Sequence, residues 1–140
     1  MVTGVQTCAL PIWKADGMTD KYKVIEALEK EQCDVKDALT RCMDMEDLYV
    51  ELLGLFADDP QIDELLDAFR QHNVEDVFFH SHTLKGVYTN LGMKRLYEMD
   101  VPIVEATRDK RPEQLDQLEG AVEALFEEHK RIVSVIQKYI

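Results

Sequence analysis

The centre of the chain carries three residues whose side chains suit the handling of an anion: His82, Lys85 and Gly86. They lie in a stretch with the apolar periodicity of a long amphipathic helix. With His82 taken as zero, Lys85 lies at about −60° and Gly86 at about +40° around the helix axis, so all three share one face. An exposed imidazole is a nucleophile near neutral pH, an ammonium attracts anions, and glycine has no side chain. The combination predicts a site where an anionic group arrives, is bound covalently and leaves.

The rest of the same helix predicts that this site faces solvent. Glycine inside a helix costs about 1 kcal/mol relative to alanine, and such local violations tend to occur at functional sites. Val77, Leu84 and Leu91 lie on the side opposite His82, at about −140°, −160° and 180°. The sequence therefore predicts one buried face and one exposed face, the exposed one comprising His82, Lys85, Gly86, Thr89 and Asn90.

Two aromatic residues flank His82 on the face predicted to be exposed. Phe78 lies at about −40° and Phe79 at about +60°. Adjacent aromatics on such a face indicate a docking surface for a partner or a contact with another element, for which the N-terminal helices are candidates. Both interpretations remain open from the sequence.

The other histidines are interpreted as structural or solvated residues. His80 lies at about 160°, on the buried side, and is predicted to be packed or hydrogen-bonded. It cannot share a metal ion with His82, because side chains two residues apart on a helix do not face each other. His72 and His129 are expected to be solvated.

Composition limits the classes of partner and compartment. The 140 residues carry a net charge of −12, which argues against nucleic acids and anionic membranes as partners. The chain has no run of 18 apolar residues, so no membrane span is expected. Its three cysteines, Cys8, Cys33 and Cys42, have no metal-binding spacing and form no even disulfide set, which favours the reducing cytoplasm.

The first residues read as foreign sequence. Residues 2–12, VTGVQTCALPI, resemble the translation of a common sequencing-library adapter, and 13–17 are interpreted as read-through before a native start at Met18. Residues 1–17 are therefore expected to be an artefact, and Cys8 carries no functional argument. Genuine upstream sequence could have been lost at the same junction.

Periodicity after Met18 predicts helices joined by short links, without strands. The result is an all-α, antiparallel up-down four-helix bundle over 44–140, with one or two short helices as an N-terminal cap over 18–43. The predicted helices are a first one capped by Thr19 and Asp20 and running to Gln32, Val35–Cys42 capped by Asp34, a kinked rod Met45–Gln71 restarting at Pro60, Val74–Leu91 capped by Asn73 and ended by Gly92, Leu96–Arg108 broken or kinked at Asp100–Val101 by Pro102, and a last helix opened by Pro112 and running close to Ile140.

The central motif resembles the signature of histidine-containing phosphotransfer (HPt) domains. The resemblance rests on the pentad 82–86, HTLKG, followed by Asn-Leu-Gly at 90–92, and on 48–56, LYVELLGLF, which is similar to the first bundle helix of that family. It covers roughly residues 44–140 and a short N-terminal helical region. The chain departs from the family in carrying Val87 and Tyr88, where small residues are common. Both are predicted to point inward, where they change the core packing and leave the exposed face intact.

The resemblance implies a cytoplasmic, monomeric phosphoryl carrier without an ATP site or autonomous catalytic activity. His82 matches the residue that accepts a phosphoryl group from a receiver-domain aspartate and passes it to another receiver. Lys85 matches the cation that steadies the phosphate, and Gly86 the small residue that lets the receiver approach. The implied partners are response-regulator receiver domains and a hybrid sensor histidine kinase, with Mg²⁺ on the receiver and no cofactor or metal in this chain. Docking to the receiver is predicted for Phe78, Phe79, Thr89 and Asn90.

Two other function classes compete with a carrier. A bundle could bind or sequester receivers without carrying phosphate, and the presence of His82 counts against that reading. A metal- or cofactor-binding bundle normally places Glu and Glu-x-x-His residues toward its interior, and this chain lacks that pattern. It also has no glycine-rich phosphate loop and no kinase motif, so ATP binding is not indicated.

Overall fold

The computed structural model describes residues 22–140, and every regular element in that range is helical, as predicted. The predicted artefact (1–17) and the predicted caps of the first helix, Thr19 and Asp20, lie outside the described residues. The elements are α1 (22–30), α2 (Val35–Arg41), α3 (Glu46–Asp58), α4 (Gln61–Arg70), α5 (Val74–Asn90), α6 (Lys94–Thr107), a 3-10 helix (Pro112–Gln117) and α7 (Glu119–Gln137).

Four of these helices, α4 to α7, close into a ring, which confirms the predicted four-helix bundle. Helix α5 packs between α4 and α6, and α7 closes the ring by packing against α6, α4 and α3. Short links join these helices, so sequential neighbours run antiparallel. The core takes one apolar residue or more from each helix, for example Leu65, Leu84, Ile103 and Leu125, all of which are fully buried.

The N-terminal helices join the same core. Val24 and Leu28 of α1 are fully buried and belong to the hydrophobic cluster of the bundle. The Tyr22 hydroxyl donates a hydrogen bond to the Asp47 carboxylate of α3. Helix α2 is capped as predicted, because the Asp34 carboxylate accepts a bond of 3.1 Å from the backbone N–H of Asp37.

The predicted restart at Pro60 is confirmed, but the structure has two separate helices between Met45 and Gln71 and not one kinked rod. Helix α3 ends at Asp58, and Asp59 takes an extended conformation with φ −75° and ψ 125°. The Asp59 carboxylate then accepts a 2.9 Å bond from the backbone N–H of Gln61, where α4 begins beside Pro60. A side chain that bonds the backbone locally competes with helix continuation, so the segment turns here.

The helix that carries the candidate site begins and ends nearly where the sequence indicated. The Asn73 side chain caps α5 by accepting a 3.2 Å bond from the backbone N–H of Asp76. At the other end, Gly92 takes a left-handed conformation with φ +69°. The chain then enters α6 after Met93. These two signals fix a 17-residue helix, Val74–Asn90.

Two of the three predictions about proline differ from the structure, whereas α4 begins beside Pro60 as predicted. Helix α6 continues through Pro102 without the expected break at Asp100–Val101. Pro102 is exposed, so water can bond the carbonyl oxygen that its missing N–H leaves without a partner. Pro112 opens the 3-10 helix and not the last α-helix, which begins at Glu119.

Candidate functional site

His82 lies in the middle of α5, and its side chain is exposed to solvent. The opposite face of the helix is buried as predicted, with Val77, Leu84 and Tyr88 at 0–1% exposure. The imidazole packs against Phe78, one turn earlier, with ring centroids 5.4 Å apart and planes tilted by 34°. This ring contact limits the orientation of the imidazole while its outer edge remains open.

Lys85 and Gly86 lie on the same side of α5, within one turn of His82. Lys85 is partly exposed, so its stem packs on the bundle while its ammonium can reach water. Gly86 is exposed, and a Cβ built on it would meet no atom within 4 Å. No packing constraint therefore requires glycine at this position, and the helix surface beside His82 is bare backbone.

The predicted docking residues differ in exposure. Phe79 is 60% exposed, and Asn90 is exposed as well. Thr89 is partly buried, and its hydroxyl donates a 2.9 Å bond to the backbone carbonyl of Lys85. Asn90 also borders an open apolar groove between α3 and α5, where Leu55 is 63% exposed. The exposed face of α5 thus continues into an apolar surface.

Two further cations, which the sequence did not indicate, lie next to Phe78 at the edge of the site. It is partly buried, with the Arg108 guanidinium carbon 5.7 Å and the Lys110 ammonium 5.3 Å from its ring centroid. Arg108 also forms a two-pronged ion pair with Glu105, at 2.8 and 3.2 Å. Phe78 therefore contacts residues that follow α6, which is one of the two interpretations kept open for it, and its part in docking stays a prediction. Cations cluster here although the whole chain is acidic.

The other histidines fall into three environments. His80 is partly buried and its Nδ1 bonds the Gln61 side chain, as predicted for a structural residue. His72 is exposed, also as predicted. The prediction for His129 was wrong: it is 2% exposed, and its Nδ1 lies 2.7 Å from the Tyr88 hydroxyl. Across the described range, 22–140, no group of three or more histidine, cysteine or acidic side chains is arranged to hold a metal ion.

Two buried polar groups behind the site were missed as well. Asp100 of α6 is 0% exposed, and neither of its carboxyl oxygens has a hydrogen-bond partner. Burial raises the pKa of Asp100 to about 8, and the charge of Lys85 partly opposes that rise. The second group is His129. Burial lowers its pKa to about 4, and the positive charge of Lys130 lowers it further. A signal existed for Asp100, which follows Leu96 by four residues and precedes Ile103 by three, the spacing of the buried stripe.

A comparison with protein families matches residues 44–128 to the Hpt domain. The chain belongs to the Hpt domain family. This match covers the helices that form the bundle up to the middle of α7, with the exposed histidine of α5 inside it. No curated protein and no solved structure compared with the chain matches it.

Membership gives this Hpt domain a general function and a type of partner. Hpt domains carry phosphoryl groups on histidine in phosphorelays, and they exchange them with receiver domains of two-component systems. They act as phosphocarrier modules. Within residues 22–140, no helix has the length and apolar character needed to cross a membrane.

Proposed function

We propose that this Hpt domain accepts a phosphoryl group on His82 from the phosphorylated aspartate of one receiver domain and passes it to the aspartate of another. The observation that carries the proposal is the arrangement on α5. His82 is exposed at the middle of the helix, beside the partly exposed ammonium of Lys85 and the bare backbone of Gly86. The other three histidines are buried, bonded to a neighbour or located outside this face.

The transfer requires little acid–base chemistry from the chain. The imidazole nitrogen without a proton attacks phosphorus, the N–P bond forms, and the P–O bond to the aspartate breaks, so that the aspartate leaves as a carboxylate. The second ring nitrogen keeps its hydrogen. Phosphoryl transfer depends on in-line positioning and on stabilising the charge of the equatorial oxygens. On this proposal, the receiver supplies the aspartate and Mg²⁺, and this chain binds no cofactor.

Each residue near His82 has one proposed part in that reaction. Lys85 provides a positive charge for the phosphoryl oxygens. Gly86 leaves space for the receiver to bring its aspartyl phosphate to the imidazole. The ring of Phe78 packs against the imidazole at 5.4 Å and limits its rotation. No autonomous catalytic activity is proposed.

Docking would use the apolar and polar surface around the acceptor. Phe79 offers a large exposed ring, and Asn90 borders the apolar groove next to Leu55. Thr89 contributes its methyl group, since its hydroxyl is already bonded to the helix backbone. A receiver domain that covers this area buries His82 and excludes water from the transferring phosphoryl group.

Labelled phosphoryl transfer tests the proposal directly. A receiver carrying a radiolabelled aspartyl phosphate is mixed with the wild type, with His82→Gln and with His72→Asn. We expect label on the wild type and on His72→Asn, which loses an exposed histidine elsewhere, and none on His82→Gln. The label should be lost in acid and kept in alkali, as for a phosphorus–nitrogen bond.

The His82→Gln protein must also be shown to fold, and circular dichroism measures its helicity for that purpose. Label retained by a folded His82→Gln protein would reject His82 as the acceptor. A wild type that binds the receiver without gaining label would instead indicate a scaffold that docks receivers and carries no phosphate.

A further inference from the structure

The buried carboxyl group of Asp100 has no structural partner. It lies on α6, is 0% exposed, and neither oxygen forms a hydrogen bond within the described part of the chain. A buried polar group without a hydrogen bond costs roughly 2–7 kcal/mol, and an unpaired buried charge costs more. An apolar side chain would fill the same position at lower cost. Folding alone therefore does not explain an aspartate here.

Asp100 lies at the level of Lys85 in the α5–α6 pair. Lys85 precedes the turn residue Gly92 by seven positions, and Asp100 follows it by eight, so the two residues lie at the same level of the antiparallel helices. These two helices form the most extensive contact in the bundle. Among the described residues, Lys85 is the cation that acts on the Asp100 carboxyl. It is also a residue of the proposed acceptor site.

The remaining groups around Asp100 do not neutralise it. Tyr88 of α5 keeps its proton, because burial and then the proximity of Asp100 raise its pKa. Its hydroxyl is bonded to His129 of α7, which is neutral at physiological pH. The 3-10 helix contributes two acidic side chains, Glu113 and Asp116, and both are exposed. Lys85 is thus the counter-charge available to an ionised Asp100.

We propose that Asp100 is a positioning residue for Lys85. The other carboxylate near Lys85, that of Glu105, is already paired with Arg108. A neutral Asp100 therefore lets the ammonium turn outward to the phosphoryl group on His82, whereas an ionised Asp100 draws the ammonium inward. The link between the two side chains does not depend on the phosphotransfer function. The consequence for transfer rests on the proposed function of His82.

The direction of the effect with pH follows from the burial of the carboxyl. With a pKa of about 8, Asp100 is mostly neutral at pH 7 and mostly ionised at pH 9. The neutral fraction then falls about tenfold between these two values. Lys85 is therefore available to the phosphoryl group near neutral pH and is withdrawn in mild alkali. Transfer to His82 should become slower over the same interval.

Nuclear magnetic resonance tests the link without any phosphoryl transfer. The carboxyl carbon of Asp100 and the ε-carbon of Lys85 are followed in ¹³C-labelled protein while the pH is raised. We expect both signals to change with the same midpoint in the wild type. In Lys85→Met the midpoint of Asp100 should rise, because the cation that lowers its pKa is gone. In Asp100→Asn the Lys85 signal should lose that inflection.

A rate measurement tests the consequence. Phosphoramidate, a small phosphoryl donor that needs no receiver, is reacted with the wild type and with Asp100→Asn at pH 7 and pH 9. The pH dependence of the donor is common to both proteins and cancels in the comparison. The wild-type rate should fall by up to about tenfold more than that of Asp100→Asn, matching the loss of neutral Asp100.

The outcomes separate this inference from the proposed function. The inference is overturned if the titration midpoint of Asp100 is the same in Lys85→Met as in the wild type. It is also overturned if the Lys85 signal shows the same inflection in Asp100→Asn as in the wild type. Both results count even when His82 is phosphorylated normally. Equal pH profiles for the wild type and Asp100→Asn overturn the effect on transfer. Absence of label on His82 under all conditions rejects the proposed function, whereas the resonance titration still decides whether Asp100 positions Lys85.

Discussion

Gly86 lowers the stability of α5 without any packing contact that requires glycine. A Cβ at this position would meet no atom within 4 Å, so the fold does not need glycine there. The helix would be more stable with almost any other residue. On the proposed function, the advantage of glycine lies in the space it leaves for a receiver next to His82.

Two substitutions of Gly86 distinguish its effect on the stability of the protein from its effect on the approach of a receiver to His82. Gly86→Ala should raise the free energy of unfolding by about 1 kcal/mol, because alanine is the better helix former. Gly86→Trp should also fold, yet it should slow transfer from a receiver by on the order of tenfold or more, since a clash worth 1.4 kcal/mol in docking gives that factor. Chemical denaturation and labelled transfer measure the two effects.

Gly120 of α7 provides the matched control for this pair. It is also exposed, and a Cβ there meets no atom within 4 Å. Gly120→Trp should leave receiver transfer close to the wild-type rate. A Gly86→Trp protein that accepts phosphate from a receiver as fast as Gly120→Trp would contradict the role of open backbone beside His82.

At the residue scale, the sequence could predict exposure but not long-range pairing. The positions of His82 and Gly86 follow from helical periodicity, and the structure agrees with them. The bond between Tyr88 and His129 joins residues 41 positions apart, and no local pattern reports it. His129 was therefore assigned to solvent, although it lies in the core.

The turn between α5 and α6 determines which residues of the two helices lie side by side, including Lys85 and Asp100. Gly92 has φ +69°, a conformation that costs about 1–2 kcal/mol for other residues. A Cβ on Gly92 would lie 2.3 Å from the backbone carbonyl oxygen of Asp34. The backbone N–H of Asp34 in turn donates a 2.7 Å bond to the Gly92 carbonyl. Helix α2 is thus held directly against this turn.

Gly92→Ala should lower the free energy of unfolding by more than about 2 kcal/mol, because backbone strain and the clash with Asp34 add. Chemical denaturation checks the value. Gly54→Ala is the control, since its Cβ would meet Ile140 at 3.8 Å, an ordinary contact within a helix. That control should be stabilised by about 1 kcal/mol. Equal stability of the two variants would contradict the tight approach of α2.

At the element scale, caps and glycine were reliable signals, whereas proline was reliable only at Pro60, where α4 begins. Asn73 and Gly92 bound α5 because each acts through its own side chain or backbone. The effect of a proline depends on what surrounds it. Pro102 lies on an exposed face and is tolerated inside α6. Pro112 begins a separate 3-10 helix, which ends before α7 starts.

The stability of the whole molecule should depend on pH through two buried groups with opposite signs. His129 has a lowered pKa of about 4, so the unfolded chain binds more protons between about pH 4 and 6.5 and stability falls as the pH falls there. Asp100 has a raised pKa of about 8, so the folded chain binds more protons from about pH 4 to 8 and stability falls as the pH rises.

The two effects should nearly cancel below pH 6.5 in the wild type and leave a decline between about pH 6.5 and 8. Asp100→Asn should remove that decline and reveal a loss of stability in acid. His129→Gln, whose amide can still accept the Tyr88 hydroxyl, should show the Asp100 slope alone. Denaturation midpoints across this range measure the three profiles. Parallel profiles would show that neither group titrates as its burial indicates.

The location of the site on one helix has a consequence for how the protein works in time. His82, Lys85 and Gly86 are held within one turn of each other by the backbone of α5, so their spacing exists before a partner arrives. Such preorganisation leaves little ordering to be done at encounter. We therefore expect solvent viscosity and ionic strength, which set the rate of encounter with a receiver, to influence the transfer rate more than any rearrangement of the α5 backbone.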